Sequence, residues 1–156
     1  SAVPKGACML RRRSRRTDVE VTANQPAEYV GGGSERKVEL LEGEQVTREG
    51  ASGGPDIRVG RLYLTNRRLI YPGEGGPLPA IRKPYIAPLA EIKSVTLKAK
   101  GRELVVTTGA GADEFRVGPA IDLYVSGNLI FWASGRMRRA AREWQEAILE
   151  ARDASK

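Results

Sequence analysis

The sequence predicts a mainly β domain, a sandwich or barrel of about seven strands capped by one C-terminal α-helix. Short apolar runs separated by turn residues continue from Val38 to Val117, as in all-β domains. The chain carries 18 Gly and 9 Pro in 156 residues, a composition typical of many turns. After these runs, apolar residues recur at three- and four-residue spacing from Met137 to Ala151, which predicts one amphipathic helix.

Seven strands follow one another along this region. We predict them at residues 45–49, 57–65, 67–71, 82–86, 93–100, 103–108 and 114–117. Residues 50–56 are predicted to be a loop, because they are rich in glycine and end in Pro55 and Asp56. Leu62 and Leu64 should share one face of the second strand, and Thr65-Asn66 should turn the chain into the third strand.

The segment between the last strand and the helix has a mixed pattern. Ile121, Leu123 and Val125 alternate in the manner of a strand, and residues 129–132 form a continuous apolar run. This pattern predicts an extra hairpin within residues 119–133. Ser134 is then the expected N-cap of the helix, because serine is a favoured capping residue.

The domain organisation is predicted from a change in composition near residue 34. Residues 1–34 form a basic arm whose last four residues, Gly31 to Ser34, have the composition of a flexible linker. Residues 35–153 form the domain, and residues 154–156 are a tail. Weak alternation up to Val30 leaves two alternatives open for the arm, an added edge strand or no regular structure.

The formal net charge of +7 is concentrated in the arm. One run there contributes five cations and leaves +2 for the rest of the chain: Arg11, Arg12, Arg13, Arg15 and Arg16. This run could contact anionic lipid or nucleic acid, although a solvated tail is the simplest interpretation. The arginine run has no aromatic neighbours for base stacking, which disfavours a specific nucleic-acid role.

Composition also argues against catalysis. Cys8 is the single cysteine and there is no histidine, so an internal disulfide and the usual zinc or iron ligand sets cannot be assembled. The commonest general base is absent as well. We therefore predict no catalytic residue, no metal and no cofactor. We expect a cytoplasmic protein, at most peripheral at a membrane, since no apolar stretch is long enough to cross a bilayer and no secretory leader is recognisable.

Three motifs in order resemble those of a known family. Residues 60–71 resemble the central hairpin signature of GRAM domains, G-x-L-x-L-T-x-x-R-L-I, residues 40–46 are similar to the L-x-x-G-E-x-V entry, and residues 86–95 to a later segment. The GLUE domain of an ESCRT-II subunit shares the hairpin pattern, so the chain resembles the pleckstrin-homology superfamily over about residues 38–151. The resemblance implies a barrel whose open end is plugged by the tryptophan-bearing helix. It also implies binding of phosphoinositide or anionic membrane for many members, and of ubiquitin or other proteins for some.

The resemblance directs attention to cations near the first interstrand loop, although that loop is mostly glycine here. The candidates for a lipid or anion site are Arg48, Arg58, Arg61 and Arg67. Arg68 is expected to support the sheet instead, since the family keeps an arginine there.

The start of the helix is a second candidate surface. Four cations crowd its first two turns, where the helix dipole disfavours positive charge: Arg136, Arg138, Arg139 and Arg142. Two interpretations are open. The arrangement is either without function, because solvent and salt screen the charges, or a docking patch for acidic protein, phosphate or lipid.

These observations favour a non-catalytic adaptor module that recognises anionic membrane lipid or a protein partner. The alternative is a protein-interaction module of an ESCRT-II-like assembly that binds ubiquitin. Nucleic-acid binding through the arm ranks third.

Overall fold

The predicted fold class is confirmed by the computed structural model, which describes residues 28–54, 59–73, 84–119, 123 and 130–156. A two-stranded sheet pairs β1 (Tyr29–Gly31) with β2 (Lys37–Glu39). The main sheet has seven antiparallel strands in the order β6-β5-β4-β3-β9-β8-β7. They are β3 (Val46–Gly53), β4 (Val59–Thr65), β5 (Arg68–Tyr71), β6 (Tyr85–Pro88), β7 (Ile92–Lys98), β8 (Glu103–Thr108) and β9 (Gly111–Val117). Helix α1 (Ile130–Ala154) follows.

The main core lies between the seven-stranded sheet and α1. Leu62 and Leu64 of β4 are buried in it, while Tyr63 between them is buried against a second cluster on the other face of the sheet. This alternation is the period of two expected of a strand. The largest fully buried side chains of the main core are Phe115, Leu62, Leu64, Leu69, Leu89, Leu104 and Ile148.

Helix α1 covers the part of the main sheet where β3 and β9 separate from each other. β3 pairs with β4 from Val46 to Gly53, but with β9 only at Ser52 and Gly53. Trp144 fills this opening, and its ring lies 3.5 Å from the position that a Cβ on Gly50 would occupy. The terminal helix therefore plugs the sheet with its tryptophan, as the resemblance implied.

The same helix closes the free edge of β7. The side-chain amide of Gln145 donates to the carbonyl oxygen of Val95 at 2.8 Å, and Arg152 donates to that of Lys93 at 3.0 Å. An edge strand with free carbonyls is a template for pairing with another chain. These two side chains remove that template along β7.

A buried ion pair joins the segment before β3 to the β4–β5 hairpin. Glu44 is 4% exposed, and its carboxylate accepts hydrogen bonds from Arg68 Nη2 at 2.7 Å and Arg68 Nε at 2.9 Å. It also accepts from the Thr65 hydroxyl at 2.6 Å and the Leu41 amide at 2.8 Å. Burial raises the pKa of Glu44, but these hydrogen bonds outweigh it and hold the pKa below the usual 4.5. The predicted structural role of Arg68 agrees with this geometry.

The turn of the hairpin is fastened to the same segment. The side-chain oxygen of Asn66 accepts from the Gln45 amide at 2.8 Å, and its side-chain nitrogen donates to the Gly43 carbonyl at 3.2 Å. The Asn66 amide donates to the Gln45 carbonyl at 3.0 Å. The turn itself lies at Asn66 and Arg67, one residue later than predicted, because Thr65 ends β4.

The two-stranded sheet covers the outer face of the main sheet. Val30 and Val38 pack against Tyr63 and Ile70 there. Gly31, Gly32 and Gly33 all have positive φ; Gly31 ends β1, and the other two begin the connection to β2, so the linker interpretation of this glycine run is wrong. The domain boundary at residue 34 stays a prediction.

The predicted glycine loop after the first strand is wrong in its first half. Residues 50–53 continue β3, and Gly50 faces the Trp144 ring. Gly54, just after the strand, faces the Tyr71 ring, where a Cβ would crowd. Glycine in a strand marks such a close approach. Pro55 and Asp56 lie outside the described residues.

The extra hairpin and the Ser134 cap are also corrected. α1 begins at Ile130, so the apolar run at residues 130–132 belongs to the helix and Ser134 lies inside it. The prediction that arginines crowd the first two turns is wrong for the same reason, because Arg138, Arg139 and Arg142 lie in the third and fourth turns. A short apolar run fits a strand or a buried helix equally well by periodicity. Of the rest of this segment, Leu123 is described and packs against Met137.

Alanine at two glycines should have opposite effects on stability. A Cβ at Gly50 meets Trp144 at ordinary contact distance, so Gly50→Ala should stabilise by about 0.5 kcal/mol through lower entropy of the unfolded chain. At Gly54 the Cβ would lie 2.5 Å from the Tyr71 ring, so Gly54→Ala should destabilise by roughly 2 kcal/mol. Urea unfolding measures both, and equal losses would contradict the packing of Trp144 on β3.

Glu44→Gln should destabilise the protein by about 3 kcal/mol at neutral pH, because the buried Arg68 charge loses its partner. The folded-state pKa of Glu44 is lowered, so its contribution is complete above the unfolded pKa and is lost as pH falls through the folded value. The gap between wild type and variant should therefore close below about pH 4.5. Denaturant unfolding across pH, with the exposed Glu91→Gln as control, checks this, and a gap that persists in acid refutes it.

Candidate functional site

A groove of about 320 Å³ lies between β3 and α1. Its floor is formed by small or flat groups, and cations and carboxylates line its walls. The lining residues include Arg48, Glu49, Gly50, Ala51, Arg136, Arg139, Ala140, Glu143 and Trp144. The groove thus brings one arginine predicted near the first strands together with two predicted on the helix.

Arg48 is held by the helix. Its Nη2 donates to Glu143 Oε1 at 3.1 Å, and its guanidinium carbon lies 5.1 Å from the centre of the Trp144 ring. The first contact neutralises the charge, and the second is a cation–π interaction. Arg48 therefore covers the plug of the sheet and is not a free cation.

Arg61 projects from the opposite face of the sheet. It lies three residues from Leu64 on β4, whereas Arg48 is in register with Leu64 and shares its face. Arg61 donates from Nε and Nη2 to Glu49 Oε2 at 3.2 and 3.0 Å. The two arginines predicted to share an anion site are therefore separated and each is paired with a carboxylate.

The other predicted lipid-site cations do not join them. Arg67 is exposed at the turn between β4 and β5, beside Gly43. Arg58 lies outside the described residues, as do Arg11, Arg12, Arg13, Arg15 and Arg16. The lipid-site set predicted from sequence is thus not gathered into one place by the described part of the fold.

The helix cations behave differently. Arg138, Arg139 and Arg142 are exposed, and within the described part of the chain none of the three makes an ion pair. At about 3.6 residues per turn they occupy neighbouring positions on the solvent side of α1. We call these three residues the helix cation strip. Arg136 also lines the groove, and it has an interaction of its own.

Ion pairs with carboxylates determine which arginines can bind a partner. The sequence patterns did not predict the ion pairs of two carboxylates. Glu143 lies four residues after Arg139 but bonds Arg48 instead. Glu49 bonds Arg61 across neighbouring strands. A pattern along the chain does not reveal these pairs, since the partners come together only through strand register and helix docking.

Glu35 organises the outer face of β4. Its carboxylate accepts from the Arg61 amide at 2.8 Å and from the Tyr63 hydroxyl at 3.3 Å. Burial raises the pKa of Glu35. Burial, together with the charges of Glu35 and Glu49, raises the pKa of Tyr63 to about 12. This cluster fastens the β1–β2 connection to the main sheet, so we assign it a structural role.

Two further findings concern the described residues only. They contain no group of three or more histidine, cysteine, aspartate or glutamate side chains that could hold a metal ion. Among their helices, none is both long enough and apolar enough to cross a membrane.

No protein-family model and no curated protein matches the chain, but solved structures do. The solution structure of the N-terminal PH domain of the human ARAP2 protein aligns with 70% of this chain and 81% of that domain, at 13% identity and a TM-score of 0.45. GRAM-type or GLUE-type identity stays a prediction from the motifs.

Arg48→Ala should cost more stability than Arg61→Ala. Loss of the contact with Trp144 and of the pair with Glu143 should cost about 1 kcal/mol. Arg61 makes an exposed pair with Glu49, so its loss should stay within about 0.5 kcal/mol. Denaturant unfolding gives both values, with Glu143→Ala closing a double-mutant cycle for Arg48. An Arg48 loss no larger than the Arg61 loss would argue against its role over Trp144.

Proposed function

We propose that this chain is a non-catalytic binding module that docks on an anionic partner, in the first place an anionic membrane surface, through the third and fourth turns of α1. The observation that carries the proposal is the contrast between two sets of arginines. Arg48 and Arg61 are neutralised by carboxylates, whereas the helix cation strip is exposed and makes no ion pair among the described residues.

The cost of this arrangement supports a use for it. Arg138 and Arg142 lie four residues apart on α1, and like charges at this spacing repel one another. An anionic partner removes this cost. Each cation near a charged bilayer contributes about 1 kcal/mol to binding, so these three cations together contribute about 3 kcal/mol without a deep headgroup pocket.

A concentrated headgroup site is less well supported. Recognition of a single phosphoinositide head requires several cations that converge on one phosphate cluster. Arg48 and Arg61 are directed to opposite faces of the sheet, and Arg67 lies at a separate hairpin turn. We therefore favour docking on a charged surface over selection of one headgroup.

The test is vesicle binding by the chain with Arg138, Arg139 and Arg142 all changed to glutamine. Vesicles contain phosphatidylcholine alone, with phosphatidylserine, or with phosphoinositide. Wild type should bind both anionic vesicles at low salt, and the triple variant should lose roughly 100-fold in affinity. Binding should weaken as salt rises, because exposed charges are screened.

A matched variant removes the same charge elsewhere, with Lys37, Lys93 and Lys156, all exposed, changed to glutamine. It should bind nearly as well as wild type. If wild type fails to bind anionic vesicles at low salt, or both variants lose equally, surface docking through α1 is wrong. If Arg61→Ala alone abolishes binding, a headgroup site near the first strands replaces it.

A protein partner is the second candidate, and the groove favours it. The apolar floor at Gly50, Ala140 and Trp144 and the walls of both charge signs resemble a peptide site more than a lipid site. Strand addition to β7 is disfavoured, because Gln145 and Arg152 occupy its edge carbonyls.

Ubiquitin is the named protein candidate. A pull-down in which Ala140→Trp, a change that fills the groove, removes ubiquitin binding while vesicle binding persists would favour this second function. If Ala140→Trp reduces neither ubiquitin binding nor vesicle binding, the groove does not have this role.

A further inference from the structure

The turn between β7 and β8 holds two non-glycine residues in a left-handed backbone conformation. Ala99 and Lys100 have φ of 56° and 60°, and Gly101 follows with 86°. A side chain with a Cβ disfavours this region, and glycine or asparagine is the usual residue at such positions of a hairpin turn. The turn has four residues, 99–102, because Lys98 pairs with Glu103. A lysine at such a position points to a use for its side chain.

The turn is fixed in place by its own hydrogen bonds. The amide of Gly101 donates to the Lys98 carbonyl at 3.1 Å. Arg102 Nε donates to the Ala99 carbonyl at 3.0 Å. Lys100 is therefore presented, exposed, at the tip of a defined turn.

This turn lies directly beside the helix cation strip. A Cβ on Gly101 would sit 3.4 Å from Cδ of Arg138. Arg142 follows Arg138 one helical turn later, on the same flank of α1. The hairpin tip and the helix thus place Lys100, Arg102, Arg138 and Arg142 on adjoining parts of one surface.

The cations counted in this surface are those that form no ion pair with a carboxylate. Lys98 bonds Glu114, so we do not count it. Glu103 starts β8, in register with Lys98 and Arg116 rather than with the turn. Within the described ranges, Lys100, Arg102, Arg138 and Arg142 make no ion pair.

We propose that the β7–β8 turn and the helix cation strip form one docking platform for an anionic lipid bilayer, with Lys100 as its second anchor point. This rests on the proposed function and adds the turn to it. The platform is defined as Lys100, Arg102, Arg138, Arg139 and Arg142. None of its side chains is aromatic, and the exposed Glu146, four residues after Arg142, marks its edge along α1. Protein interfaces bury aromatic cores and deplete charge, whereas a bilayer surface requires only cations.

Lys100→Asn tests the platform, because it should move stability and binding in opposite directions. Asparagine tolerates the left-handed conformation, so the melting temperature should rise. Affinity for phosphatidylserine vesicles should fall about fivefold through the loss of one surface cation. Lys100→Arg should keep the affinity. Lys93→Gln, the loss of an exposed cation away from the turn, should leave it unchanged.

Each further outcome separates the turn from the broader function. If Lys100→Asn binds anionic vesicles as tightly as wild type while the triple helix variant does not, the turn has no role in binding. Docking through α1 then stands. No wild-type binding to anionic vesicles defeats both. If Lys100→Asn reduces binding to polyglutamate but not to vesicles, the platform serves an acidic protein and the lipid assignment is wrong.

Discussion

The buried ion pair between Glu44 and Arg68 is the constraint on which the rest of the sheet depends. It is bidentate, nearly inaccessible to water, and shared with the Thr65 hydroxyl, so the segment before β3 cannot separate from the β4–β5 hairpin without exposing or orphaning a charge. Arg68 also donates to the Glu39 carbonyl at 2.9 Å, which ties in the end of β2. One cluster therefore aligns both sheets.

This cluster changes what the family motifs mean. Glu44 belongs to the entry motif, and Thr65 and Arg68 belong to the hairpin motif. The residues that carry the resemblance are thus the ones that hold the fold together. They report on architecture, and the binding surface has to be sought among other residues. A similar division runs through the arginines, because Arg48 and Arg61 stabilise the barrel and its outer face while the platform cations remain available.

Much of the fold was predictable from local patterns. The hairpin with Leu62 and Leu64 on one face and the apolar face of α1 follow from simple periodicity, and both are present. The strand at residues 50–53 was not predictable, because its glycines lie against Trp144 and Arg116, which are distant in sequence. The start of α1 was missed for a related reason, since an apolar run without alternation fits a strand or a helix.

The sequence by itself determined the mainly β class, the terminal helix and the cluster of arginines within that helix, and the family resemblance implied the structural role of Arg68. Only the tertiary structure decided which cations are available. Glu143 and Glu49 reach their arginines through helix docking and strand register, and Gly101 lies beside Arg138 because the β7–β8 turn packs against α1. Charge can be counted along a chain, but its neutralisation depends on distances of a few ångströms between residues far apart in it.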